Sequence, residues 1–374
     1  MNAEAVARDS LEVAFEGPDR SVLRLGLLVP LSGPLGLTGP SAVDAACLAA
    51  SEVNAAGGVA GRTVELVLAD AGGRPEDAAR EARMLASSGV VDAFVGLHTS
   101  DVHRAIEASL GGRTPYIFTP PQEGGSRQPG VVLLGESPAQ QLGPALSWLS
   151  AQRRLRRWAL VGSDYIWAWV VHRVAPPLVR SFGGQVVLER LVPFGLDPQG
   201  GCQDLLQALA QADVDAIVLS LIGRDLAMFN RAFAASDLRS RVVRVSGSLE
   251  ENGLMAAGGD DSGELYAAMR SFAGQEDPRR IALAEHYRSA FGENAPVLDA
   301  YSEGCYDGVH LAAALGNVDA LVPADAAAVA RHLLTATDSS LARRAWATAP
   351  LGPPRGGVYL ARADGLDLTV VAGP

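Results

Sequence analysis

A chain of 374 residues, 48% of them apolar, holds enough material for two domains of ordinary size. No apolar run approaches the ~20 residues of a membrane span. A net charge of −11, with Arg as the sole basic residue type besides His, makes nucleic acid a poor direct partner. Three cysteines, Cys47, Cys202 and Cys305, are far apart and odd in number, which fits buried thiols rather than a disulfide framework or a metal cluster.

Residues 1–21 read as a loosely ordered arm with neither a basic n-region nor an apolar h-region. A chain that starts natively at Met1 is therefore expected in the cytoplasm; a trimmed leader would make it periplasmic or extracellular. From Val22, runs of strand length alternate with helical patterns. "VLRLGLLVP", "TVELVLAD", "VDAFVG", "TPYIFTP" and "GVVLLGE" are strand-like, and "SAVDAACLAASEVNAAGG", "PEDAAREARMLASSG" and "SDVHRAIEASLGG" are helical. A second set follows, with strands in "RWALVG", "QVVLERLVPF", "VDAIVLSLIG", "VVRVSG" and "GELYAAMRSF". Three further helical stretches, 278–292, 297–316 and 323–337, precede a hairpin turned at Ala363-Asp364-Gly365.

Such alternation predicts an α/β protein of two doubly wound parallel-sheet lobes. Placing the late helices on the first lobe requires three crossings, hence a three-strand hinge with a cleft for a ligand between the lobes. The expected bounds are 22–140 plus 273–340 for lobe 1, and 141–272 plus 341–374 for lobe 2.

Ligands of open parallel sheets sit beyond the carboxyl ends of strands. After the first strand, "LSGPLGLTGP" has Gly33, Gly36 and Gly39 at the wrong spacing for a dinucleotide fingerprint, and two prolines intrude. After the third comes "GLHTSDVHRAI", where Ser100 opens a helix. N-capping is its simplest role; the functional alternative is a hydroxyl and free N–H groups offered to a ligand oxygen, with His98 beside them. Ser100, Asp101 and His103 are too close in sequence for a hydrolytic triad, and no G-x-S-x-G turn exists. No catalysis and no cofactor are expected. Phe118, Thr119, Pro121 and Glu123 follow the fourth strand. In lobe 2, "VGSDYIWAW" places Tyr165 and Trp167 at the start of a helix, with Trp169 as helix packing and Ser163 as a cap. Ser246, Ser248, Glu250 and Glu251 follow a later strand, and either Glu would suit an ammonium. Aromatic walls with a few hydroxyls describe a pocket for a small, partly apolar molecule.

Taken in order, "NAAGGVAGR", "DAGGRPEDA", "VGLHTS", "QEGG", "VGSDYIW", "FGENAP" and "APLGPPRGG" resemble the type I periplasmic-binding-protein superfamily, over residues 24–362. The likeness is to its branch of Leu/Ile/Val, urea and amide binders, and within it to cytoplasmic aliphatic-amidase expression regulators. The resemblance implies that two lobes close on a ligand, with Ser100 binding one of its oxygens and His98 on the pocket-aromatic position. "FTPPQEG" matches the family segment Y-P-x-P-Y-E-G, putting Phe118 on its aromatic position. Pro120 stands where the amidase regulator has a ligand-binding Thr, with Thr119 as the substitute. Tyr165 and Trp167 match the pocket hydroxyl and wall, and Ala168-Trp169 replaces the family's Pro-Arg. The implied ligand is amide-, urea- or amino-acid-like, and the implied partner is an RNA-binding antitermination protein released on ligand binding. A homodimer is a further option. An ABC-transporter substrate-binding protein for urea, short amides or branched-chain amino acids is the alternative function. A doubly wound enzyme with a nucleotide at Gly33–Gly39 is the alternative from another class.

Overall fold

Val22–Val29 (β2) is buried from its second residue onward, as a mostly apolar run at the centre of a parallel sheet must be. In a computed structural model describing residues 7–198, 200–336 and 338–374, it anchors the first of two sheets. That sheet runs β1-β3-β2-β4-β5-β6, all parallel, adding Ala7–Asp9 (β1), Thr63–Asp70 (β3), Ala93–Gly96 (β4), Tyr116–Phe118 (β5) and Val131–Leu133 (β6). The second runs β13-β12-β11-β10-β9-β7-β8. Its parallel part comprises Arg157–Ser163 (β7), Gln185–Val192 (β8), Ala216–Ser220 (β9), Val243–Ser246 (β10) and Leu265–Met269 (β11). The hairpin of Tyr359–Asp364 (β12) and Asp367–Ala372 (β13) extends it antiparallel.

Helices Ser10–Glu16 (α1), Gly39–Ala55 (α2), Pro75–Ser87 (α3) and Ser100–Leu110 (α4) belong to the first lobe. Pro138–Gln152 (α5), Ile166–Ser181 (α6), Gly201–Gln211 (α7), Gly223–Ala234 (α8) and Glu251–Ala257 (α9) belong to the second. The chain then returns: Pro278–Phe291 (α10) and Ala300–Asn317 (α11) pack on α2, and Pro323–Thr335 (α12) packs beside β6. Helix α11 is buried along nearly its whole length. Its small residues allow this, for a Cβ on Gly308 would stand 2.7 Å from Val95 Cγ1. Ser340–Ala345 (α13) and the 3-10 turn Trp346–Thr348 also pack on α11, so the last crossing follows Thr348 rather than residue 340.

Three segments therefore cross between lobes, before α5, after β11 and before β12. Buried ion pairs surround the second: Arg270 with Asp307, and Arg279 and Arg280 with Glu303.

The N-terminal stretch corrects the expectation of a loose arm. Strand β1 extends the first sheet, Asp9 caps α1 through Leu11 and Glu12 N–H groups, and Val13 is fully buried. Ion pairs from Arg8 and Arg24 to Glu16 and Glu65 hold it. Residues 1–6 lie outside the described residues.

The spaced glycines after β2 have a packing reason. A Cβ on Gly33 would lie 1.9 Å from Gly72 O, and one on Gly39 would lie 2.2 Å from Pro30 O. Close backbone approach requires glycine there.

Candidate functional site

Each sheet reverses its strand order once, and both reversals open on the same space. In the first sheet β3 and β4 flank β2; in the second β8 and β9 flank β7. Loops at such switch points leave a crevice beyond the strand ends. The loops after β2 and β4 bring Leu35, His98, Thr99 and Ser100 to it, and the loops after β7 and β9 bring Tyr165, Trp167 and Ile222. Pro120, Pro121, Ser248 and Tyr301 complete a narrow cavity.

The lobes touch around it. Arg224 N donates to Pro34 O at 3.1 Å, Asn252 Nδ2 donates to Asp299 Oδ2 at 2.6 Å, and Ile166 N reaches Asp101 Oδ1 at 3.4 Å. Tyr301 Oη on α11 donates to Ser248 O at 3.4 Å from the opposite side.

Six of the nine residues chosen from the sequence line this cavity: His98, Ser100, Pro121, Tyr165, Trp167 and Ser248. Their polar atoms fall into two groups. Ser248 Oγ is engaged, donating to Leu221 O at 2.7 Å. Ser100 and Tyr165 make no side-chain hydrogen bond among the described residues, and buried Trp167 Nε1 has no partner. Thr99, not Ser100, is the N-cap of α4, and it makes no side-chain cap bond. The first-turn N–H groups of α4 therefore join these free donors at the cavity wall.

Phe118, Thr119 and Glu250 lie elsewhere, each for a physical reason. Strand alternation puts Phe118 on the far face of β5 with Tyr116, where it stacks on His103 at 4.1 Å. Thr119 Oγ1 donates to Gly96 O at 3.2 Å and packs against Gly304 and Gly308, so it does not take over the role assigned to the Pro120 position. Glu250 caps α9, accepting from Asn252 N at 2.6 Å and Gly253 N at 2.8 Å. Trp169 is half exposed and donates to Asp164 Oδ1 at 2.7 Å, so it tethers a loop instead of packing in the core. Ser163 caps nothing: Tyr165 is the N-cap of α6, and Ser163 Oγ is unpartnered within β7.

The sequence did not single out Leu35, Ile222 or Tyr301. Leu35 sits in a glycine- and proline-rich loop, and Ile222 ends a continuous apolar run. Tyr301 comes from α11, which returns to lobe 1 after lobe 2 is complete.

Behind the cavity wall runs a hydrogen-bonded chain whose direction its two ends fix. Arg127 Nε can only donate, and it does so to His103 Nε2 at 3.0 Å. That leaves the His103 proton on Nδ1, facing Tyr116 Oη at 3.2 Å; Tyr116 then donates to His98 Nε2 at 2.7 Å. His98 Nδ1 donates to Thr99 O at 3.2 Å, an atom that can only accept. Both imidazoles are neutral in this arrangement. Burial agrees, pushing His98 down to about 4, and burial with the nearby His98 and Arg127 pushes His103 down to about 2.

This predicts a loss of stability on acidification. As pH falls from 6.5 to about 4, the unfolded chain takes up a proton that folded His98 refuses, which removes roughly 3 kcal/mol. Glu251, raised by burial from 4.5 to about 7, acts oppositely: its stabilisation is present at low pH and lost as pH rises. The comparison of wild type with His98→Gln cancels it. The variant's melting temperature should fall less than the wild type's between pH 7 and pH 4.5.

A sequence profile described as periplasmic binding protein matches residues 22–367. The chain belongs to the periplasmic binding protein family. It has the type I fold, and solved structures share it along their length. The branched-chain amino acid transporter substrate binding protein LivJ from Streptococcus pneumoniae, in complex with isoleucine, is 20% identical with a TM-score of 0.75, covering 94% of this chain and 100% of its own. A solute binding protein of an ABC transporter from Rhodopseudomonas palustris, in complex with 3,4-dihydroxy benzoic acid, is 20% identical with a TM-score of 0.74, covering 95% and 98%. A fatty acid ABC transporter substrate-binding protein from Thermomonospora curvata is 20% identical with a TM-score of 0.77, covering 95% and 93%. The first two are in complex with a small molecule, and the third is named a substrate-binding protein. Among the described residues, no helix is long and apolar enough to cross a membrane, and no group of His, Cys, Asp or Glu is placed to hold a metal ion.

Proposed function

We propose that this family member clamps one small, partly apolar molecule between its lobes. Ser100 and the α4 N-terminus would take a ligand oxygen, Tyr165 and Trp167 would close over it from lobe 2, and Leu35, Pro121 and Ile222 would hold its apolar body. One observation carries this assignment: three side-chain donors without intramolecular partners meet in a cavity to which both lobes contribute.

We assign the chain a sensing role, in which the open and closed lobes present different surfaces to a protein partner. The ligand shifts the population by its preference for the closed state. The likeness to amidase-expression regulators in "VGSDYIW" supports an RNA-binding antitermination protein as that partner and a cytoplasmic location. A transport role is the second reading, favoured by the relatives named as ABC-transporter substrate-binding proteins, and it goes with a location outside the cytoplasm.

A thermal-shift series with short-chain amides, urea, small carboxylic acids and branched-chain amino acids tests the clamp. At a hundred times its Kd, a true ligand stabilises by about 2.7 kcal/mol, a shift of several degrees. No shift with any of the four classes contradicts the assignment.

A further inference from the structure

The hydrogen-bonding balance of the cavity restricts the class of ligand. Its free groups can all donate: Ser100 Oγ, Tyr165 Oη, Trp167 Nε1 and the first-turn N–H groups of α4. Three carbonyl acceptors beside them are already engaged. Thr99 O receives His103 N at 2.9 Å and His98 Nδ1 at 3.2 Å, Leu221 O receives Ser248 Oγ at 2.7 Å, and Ser248 O receives Tyr301 Oη at 3.4 Å.

No carboxylate lines the cavity. Those nearby in sequence to its walls accept from backbone N–H groups: Asp101 Oδ1 from Ile166 at 3.4 Å, both Glu250 oxygens from Asn252 and Gly253, and Glu251 Oε1 from Ala273 at 2.6 Å, while Glu251 Oε2 is unpartnered. An ammonium enclosed here would lose its water and meet no carboxylate on the lining, with the hydroxyl oxygens of Ser100 and Tyr165 as neutral acceptors, which is costly for a buried charge. A carbonyl or carboxylate oxygen meets what it needs.

We infer that the cavity selects an acyl compound without an ammonium group, a carboxylate or carboxamide on a short apolar body, and excludes the α-amino acid of the same skeleton. The inference rests on the clamp proposed above and narrows its ligand.

Calorimetric titration of the full chain with leucine, isocaproate and isocaproamide tests it, because the three share one isobutyl body and differ at the amino and acyl groups. Isocaproate or isocaproamide should bind, with leucine weaker by roughly a hundred-fold or more. The valine, isovalerate and isovaleramide series repeats the comparison on a shorter body. Ser100→Ala should weaken the acid and the amide, since its hydroxyl donates to their acyl oxygen. An amino acid that binds as tightly as its deaminated acid overturns the inference and leaves the clamp standing. If no member of either series binds, the inference fails; if none of the four thermal-shift classes binds either, the clamp fails with it.

Discussion

Trp167→Ala should weaken ligand binding by about 1–3 kcal/mol, a rise in Kd of roughly five-fold to over a hundred-fold. Trp167 is 3% exposed and stands against Tyr165, with ring centroids 6.3 Å apart, so its removal opens the lobe 2 wall. Trp167→Phe separates the wall from the donor. The unpartnered Nε1 is a cost in the ligand-free protein, so the Phe variant should melt no lower than wild type in the absence of ligand. Its affinity should still drop by about 1 kcal/mol, the worth of one hydrogen bond. Titration calorimetry and melting curves on the same samples read both quantities. Normal affinity in both variants would remove Trp167 from the site.

The second large effect is expected at the contact between lobes. Gly223 begins α8 with φ +47°, and a Cβ there would stand 2.0 Å from Pro34 O in the opposite lobe. The neighbouring Arg224 N donates to that same oxygen at 3.1 Å. Gly223→Ala cannot adopt this closed contact, whereas separating the lobes removes the clash. The variant should bind ligand roughly ten-fold more weakly or worse, and its scattering profile should stay expanded at saturating ligand. A methyl at positive φ also costs about 1–2 kcal/mol by itself. Gly258→Ala isolates that cost, because Gly258 has φ +91° with nothing within 4 Å of its added Cβ. It should lose stability and keep its affinity.

The two-lobe architecture is legible because periodicity and chain order carry it. Alternating apolar runs and helical patterns define parallel sheets, and the surplus of late helices forces the chain back to the first lobe. The lobe 2 wall is legible for a local reason: Tyr165 and Trp167 follow a strand end directly, at a switch point. Phe118 and Thr119 show where such reasoning stops. They also follow a strand end, but which face of β5 a side chain takes depends on register, and the alternation sends Phe118 to the far side. Glu250 illustrates a different loss, since a carboxylate at a helix start serves equally as a cap or as a ligand group, and only its distances to Asn252 and Gly253 decide. Tyr301 is far in sequence from every other cavity residue, so only the packing of α11 reveals it. In the basic run "RRLRR" at 153–157, Arg157 donates to the carbonyls of Ala212 and Asp213 at 2.8 Å.

Small-angle scattering of the wild-type chain, with and without a ligand found in the thermal-shift series, tests the clamp most directly. The radius of gyration should fall on ligand addition and reach the value calculated for the closed arrangement, in which Arg224 meets Pro34 and Tyr301 meets Ser248. A ligand that binds tightly while the scattering curve stays unchanged would contradict closure of the two lobes as the basis of recognition.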